Sequence, residues 1–165
     1  NRHPHVFNNV DLDMSQFEKT WEELKRDEKG ETSITSGLKR IPNHLPALIK
    51  AEKIQHKAAL IGFDWDDIKD VFEKIEEEYK ELLDECKQGN IKYIKEELGD
   101  LLFSIVNLAR FLHIDSEEAL NLTNQKFINR FEFMEENASK LHKKLEDLTL
   151  DQMEELWQSA KKNKL

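Results

Sequence analysis

Glycine and proline together supply only eight of the 165 residues, five and three respectively, well below the roughly 12% of an average chain. So few turn formers leave few places to reverse direction, and with Glu, Lys and Leu abundant the expectation is an all-α helical bundle. The length suits one domain, or one domain with an appendage, and is enough for a real core. Asp and Glu number 34 against 25 Lys and Arg, a formal charge of −9, which argues against a nucleic-acid polymer as partner. A single cysteine, Cys86, excludes an intrachain disulfide and a cysteine-based zinc site. The longest strongly apolar stretch, Leu101 to Val106, is interrupted by Ser104 and is far too short to span a membrane. No signal-like segment opens the sequence, so a soluble cytoplasmic protein is expected. The start at Asn1 rather than Met suggests a fragment.

Helix signals then divide the chain. Ser15 is a suitable N-cap for a helix carrying Phe17, Trp21 and Leu24, which ends near Gly30. From Gly30 to Leu45, two glycines, Pro42 and a Ser/Thr cluster read as linker. Pro46 suits a first helical position, and Leu48, Ile49, Ile54, Ala58 and Ile61 mark one face until Gly62. Two long helices follow, Asp66 to about Gln88 and Ile91 to about His113, with Gly89 and Asn90 supplying a C-cap and an N-cap side by side. A further long helix begins near Ser116, and Thr149-Leu-Asp-Gln152 forms a capping box for the last. Arg2 to Phe7 before Trp21-Glu-Glu-Leu-Lys25 faintly echoes Arg130-Phe131 before Trp157 to Lys161. This echo suggests that the first thirty residues are the tail of a preceding domain of the same kind.

Function turns on which acids border the core. At about 100° per residue, the apolar stripe of the first long helix is Ile68, Val71, Phe72, Ile75, Tyr79, Leu82, Leu83 and Cys86. Glu78 stands at its border, Glu81 one step further round, and Glu77 nearly opposite. The next helix buries Ile91, Ile94, Leu98, Leu101, Leu102, Ile105 and Ala109, flanked by Glu97 with Asp100 beyond it. A turn centred on Gly89 sets equidistant residues at equal height: Glu81 opposite Glu97, and Glu78 opposite Asp100. Four carboxylates so gathered repel one another and call for a counter-ion. Oxygen-only donors suit a hard divalent cation, and Mg²⁺, which combines a few carboxylates with substrate phosphates, fits best. The competing reading is ordinary helix-surface pairing with Lys74, Lys80 and Lys95. A di-iron bundle would need Glu-x-x-His on the core helices, which the sequence lacks.

Lys126 and Arg130 stand one turn apart next to Phe127 and Phe131. Two cations near a carboxylate-bound metal suit the oxygens of a polyphosphate. His3 and His5 could be read as a metal pair, but without a third ligand they read better as inert.

Glu77-Glu78-Tyr79-Lys80-Glu81 followed by Glu97-Leu98-Gly99-Asp100 resembles the EExxE and ExxD signature of the MazG-type nucleoside triphosphate pyrophosphohydrolases. The resemblance extends to Leu45-Pro-Ala-Leu48, Ala51-Glu-Lys-Ile-Gln55, Gly62-Phe-Asp-Trp65, Gly99 to Phe103, Val106 to Arg110, Lys126-Phe127, Arg130-Phe131 and Trp157. It implies an all-α, MazG-like bundle that forms a homodimer and converts NTP and water to NMP and pyrophosphate with Mg²⁺. Carried over residue by residue, it makes Glu78, Glu81, Glu97 and Asp100 metal ligands, with Glu77 a supporting acid; the acidic cluster itself offers Glu81 or Glu78 as acceptor of the proton from an attacking water. Lys126 and Arg130 would grip phosphates, while Trp65 and Lys53 would line the base pocket. The domain reading is then a tail at 1–30, a linker at 31–45 and a catalytic domain at 46–165. Broad base range is expected. A dUTP- or phosphoribosyl-ATP-directed relative shares the same acidic core, and a non-catalytic helical adaptor would explain Trp21 and the charge but not the mirrored acids.

Overall fold

The computed structural model describes residues 14–28, 30 and 33–165. Every regular element among them is helical: α1 (Met14–Glu28), α2 (Ile34–Lys39), α3 (Ala47–Leu60), α4 (Ile68–Gln88), α5 (Ile91–Phe111), α6 (Ser116–Lys140) and α7 (Leu150–Lys162), with one 3₁₀ turn at Leu145–Asp147. No helix among the described residues is long and apolar enough to cross a membrane. The Arg2–Phe7 echo and the His3/His5 pair lie outside the described residues. The chain divides into two compact units, one reaching Ser116 and one from Glu117 to Leu165.

In the first unit, α4 and α5 pack as a helical hairpin, with α3 against α5 and α1 against α3. The hairpin turn follows the sequence closely. Gly89 takes the left-handed conformation at φ 77° and donates its N–H to the Glu85 carbonyl at 2.9 Å, a conformation that costs glycine no Cβ clash. Asn90 then caps α5, its side chain accepting from the Lys92 N–H at 3.1 Å. At the other end, α4 starts two residues later than Asp66, because Asp67 remains extended and its carboxylate accepts the Lys69 N–H at 2.9 Å.

Two local details depart from the sequence reading. Pro46 sits at the N-cap of α3, one place earlier than expected, its carbonyl accepting from the Lys50 N–H at 3.0 Å. Within the segment read as linker, α2 forms on a reciprocal cap between Ser33 and Ser36, with bonds of 3.1 and 3.2 Å. Val71 of α4 and Val106 of α5 are almost fully buried, and Ile41 is buried as well. Gln55, buried on α3, donates to the Phe103 carbonyl at 2.9 Å and ties α3 to α5. Much of the apolar stripe remains exposed, however: Phe72, Tyr79 and Leu83 on α4, and Leu98, Leu102 and Ile105 on α5.

In the second unit, Met134, Ala138 and Ala160 are buried. Phe127 stacks on Phe131 at 4.9 Å and leans on Trp157 at 5.2 Å. Thr149 and Gln152 close the expected capping box on α7 with bonds of 3.2 and 3.0 Å.

Candidate active site

The hairpin gathers acids from both of its arms. Glu78 and Glu81 come from α4 and Glu97 from α5, and one carboxylate oxygen of each lies within 4.8 Å of the others. They differ in setting: Glu78 is buried, Glu97 half-buried and Glu81 exposed. Asp100 falls outside this close triad but stands near enough for its charge to act on Glu97.

Lys74 discriminates among the acids. Its Nζ lies 2.6 Å from Glu78 Oε1 and 3.1 Å from Glu77 Oε2, and these partners hold its ammonium well above the ordinary lysine range, the Glu78 hydrogen bond contributing most. Ordinary helix-surface pairing is therefore part of this site. Among the described residues it applies to exposed Glu77 and one oxygen of Glu78, not to Glu81 or Glu97.

Glu97 has no such compensation. Its Oε2 is buried without a hydrogen-bond partner among the described residues, as is Oε2 of Glu85. Desolvation pushes the Glu97 carboxyl upward, and the charges of Glu81, Asp100, Glu78 and Glu85 push it further. Glu85 was absent from the sequence reading. It lies one turn beyond Glu81 on α4, and extending the i, i+4 series from Glu81 would have found it.

A raised carboxyl pKa favours the protonated form in the folded state, so Glu97 adds stability below its unfolded value near 4.5 and loses it as pH rises through the higher folded value. Thermal unfolding of the chelator-treated protein should therefore show a fall in Tm as pH rises above 4.5 that is smaller in Glu97→Gln. An identical pH profile in the two proteins would overturn this account of Glu97.

An oxygen-only donor set, an orphaned buried carboxylate oxygen and mutual repulsion together fit a hard divalent cation. Glu78, Glu81 and Glu97 are the residues that could hold it, with Asp100 beside them.

The remaining candidates come from other elements. Trp65, in the α3–α4 connection, is 42% exposed and donates its N–H to Asp64 Oδ1 at 2.9 Å. Arg110 of α5 anchors that connection by a two-pronged bond to Asp64, with Nη1 to Oδ2 at 3.0 Å, and its Nε donates to Asn107 Oδ1 at 3.0 Å. Partial burial alone would raise the Asp64 carboxyl, but hydrogen bonds from Arg110 and the Trp65 N–H, with the Arg110 charge, hold it below its ordinary value. Sequence reasoning missed this clamp, although both partners lie in segments that it quoted. Lys53 is exposed on α3 and lines a cavity with residues of α1 and α2, whereas Trp65 does not line it. Lys126 and Arg130 belong to α6 of the second unit. Lys126 is exposed, while Arg130 donates Nε to the Leu165 carbonyl at 2.6 Å and sets its guanidinium 5.0 Å from the Trp157 ring centre.

Fold and site together define an all-α protein with a carboxylate centre suited to a divalent cation on a helix hairpin. Residues 67–134, which include both arms of that hairpin, match the MazG nucleotide pyrophosphohydrolase domain, and the chain as a whole is similar to longer curated proteins. It is 46% identical over 160 residues to the nucleoside triphosphate pyrophosphohydrolase/pyrophosphatase MazG of Thermotoga maritima, covering 97% of this chain and 60% of that protein. It is 39% identical over 167 residues to the nucleoside triphosphate pyrophosphohydrolase of Escherichia coli, covering 99% and 64%. Similarity at 46% identity over 162 residues extends to the uncharacterized protein YabN of Bacillus subtilis, covering 97% of this chain and 33% of that one. The chain thus spans less than two thirds of the length of these curated relatives.

Proposed function

We propose that the chain is a Mg²⁺-dependent nucleoside triphosphate pyrophosphohydrolase, releasing NMP and pyrophosphate. The observation that carries this reading is the convergence of Glu78, Glu81 and Glu97, with a buried Glu97 oxygen lacking a partner. The names of the Thermotoga and Escherichia relatives support it.

In this reading Glu78, Glu81, Glu97 and Asp100 hold the cation, which when bound supplies charge neutralisation and a water of lowered pKa. Water attacks the α-phosphorus, the bond to the β-phosphate oxygen breaks, and pyrophosphate leaves. Glu81, the exposed member of the triad, accepts the proton from water; Glu78, fixed by Lys74, and Glu77 support it. Lys126 and Arg130 grip phosphate oxygens, and Trp65 and Lys53 contact the base. Residues 46–165 form the catalytic domain, preceded by a linker at 31–45 and the tail of another domain at 1–30.

The exposed apolar side chains on α4 and α5 support a homodimer, since contiguous apolar surface of this kind marks an association face. Their consequence is a bundle that completes its core with a second copy.

The test is a panel of ribo- and deoxynucleoside triphosphates incubated with Mg²⁺ and with chelator. The expected result is equimolar NMP and pyrophosphate with Mg²⁺ and neither with chelator. Release of NDP and orthophosphate, or no product from any member of the panel, overturns the proposal.

A further inference from the structure

The connection between α3 and α4, Ile61 to Asp67, is fixed at its middle by side chains rather than by backbone. Among the described residues, no backbone–backbone hydrogen bond involves Asp64, Trp65 or Asp66. The Asp64 carboxylate instead accepts from Nη1 and Nη2 of Arg110 and from the Trp65 N–H. Arg110 is itself preset, because Asn107, one turn earlier on α5, accepts from its Nε at 3.0 Å and its Nη2 at 2.7 Å. The guanidinium thus keeps one orientation, and its planar fork matches the carboxylate. Both side chains are shielded from water, Arg110 at 14% exposure and Asp64 at 27%, so salt screens this pair less than a fully exposed one. The neighbours of Asp64 show the opposite exposure, 81% for Phe63 and 42% for Trp65. The clamp therefore draws in the carboxylate and leaves the indole accessible.

We propose that Asn107, Arg110 and Asp64 are positioning residues for substrate, holding Trp65 in a fixed place relative to the acids of α5 and so setting the affinity for the base of the nucleotide. This rests on the reading of Trp65 as a base contact. One helix carries both ends of the arrangement, Asp100 beside the acidic triad and Arg110 in the clamp. The ten residues between them correspond to about 15 Å of helical rise. A regular helix does not stretch, so α5 is the ruler between the carboxylates and the ring. The part of the ligand that the clamp serves is a flat aromatic ring, taken by stacking on the indole. That contact is the same in the bound substrate and in the transition state, so its loss raises KM and spares kcat.

Steady-state kinetics of the full chain with ATP and Mg²⁺ test this. Asp64→Ala and Trp65→Ala should each raise KM roughly tenfold or more, with kcat within about threefold of the parent and helical circular dichroism retained. Because Asp64 acts through Trp65, the double variant should have the KM of Trp65→Ala alone. Asp64→Asn, which keeps an acceptor for the Trp65 N–H, should recover part of the loss. Arg110→Lys, which keeps the charge but not the fork, should resemble Asp64→Ala, and it decides the matter if Asp64→Ala loses helicity. A second readout needs neither metal nor turnover: the NMR order parameter of the Trp65 indole N–H, assigned through Trp65→Phe, should fall in Asp64→Ala and in Arg110→Lys. KM unchanged in either single alanine variant, effects that multiply in the double variant, or an unchanged indole order parameter overturns the proposal. So does a fall in kcat and Tm without a rise in KM, the mark of a bridge that only supports the fold. A parent chain that turns over no triphosphate fails the hydrolase reading and removes this role with it, a result distinct from a parent that hydrolyses ATP and is indifferent to Asp64.

Discussion

Glu81→Ala should abolish pyrophosphate release while leaving helical content unchanged. Glu81 is the exposed member of the triad and takes no part in the buried contacts of the hairpin, so the fold does not depend on it. Replacing residues that merely support a metal ligand typically costs about 10–100-fold, so loss of a ligand that also accepts the proton should exceed about 100-fold. The same change should lower the Glu97 pKa toward its ordinary value, because Glu81 supplies the first of the charges that raise it. Loss of turnover should therefore accompany an unchanged or higher Tm in the chelator-treated protein. Turnover equal to the parent protein would remove Glu81 from the reaction. A collapse in helicity would show that its role is structural.

The second large effect concerns Lys74. In the absence of a divalent ion, its ammonium at 2.6 Å from Glu78 is the counter-charge for a carboxylate only 5% exposed. Lys74→Met leaves that carboxylate uncompensated. Breaking a fully buried pair costs about 3–5 kcal/mol; the Lys74 side chain is about a third exposed, so a loss of roughly 1–3 kcal/mol is expected here after discounting for solvent. Mg²⁺ then has more to repair. The rise in Tm on adding saturating Mg²⁺ should be larger in Lys74→Met than in the parent, because an ion that binds only the folded state stabilises by mass action. Differential scanning fluorimetry with and without Mg²⁺ measures both quantities. Equal Mg²⁺-induced shifts in the two proteins would mean that Lys74 and the cation do not share Glu78.

These two residues also mark how far sequence alone could be read. The height matching of Glu81 with Glu97 depends only on regular helix geometry and a turn at Gly89, both local, and the structure brings Glu78, Glu81 and Glu97 together. Capping of α5 by Asn90 and of α7 by Thr149 is equally local, since each bond spans two or three residues. Other features needed information that a helical period does not contain. Lys74 was one of three lysines at plausible spacing, and only side-chain packing selects it for Glu78. The bond between Arg110 and Asp64 joins residues 46 positions apart, and no local rule predicts it. An apolar stripe on α4 was legible, but not that Val71 would be buried while Phe72 and Tyr79 remained exposed, because a neighbouring helix covers only part of a stripe that wide. The short α2 was missed because two serines cap each other there, in a stretch whose composition otherwise reads as loop.

The Gly89–Asn90 turn also restricts how this sequence can change. Each residue added between Glu81 and Gly89 would shift one arm of the site by about 1.5 Å along its axis and rotate it by about 100°, moving a carboxylate from the inner shoulder of the hairpin to its outside. An unmatched insertion or deletion in one arm between Glu81 and Glu97 should therefore take the acids out of register. Connections such as Leu141–Thr149 carry no such register. Related sequences should therefore change the length of this hairpin only by matched additions to its two arms, whereas loops elsewhere are free of that constraint.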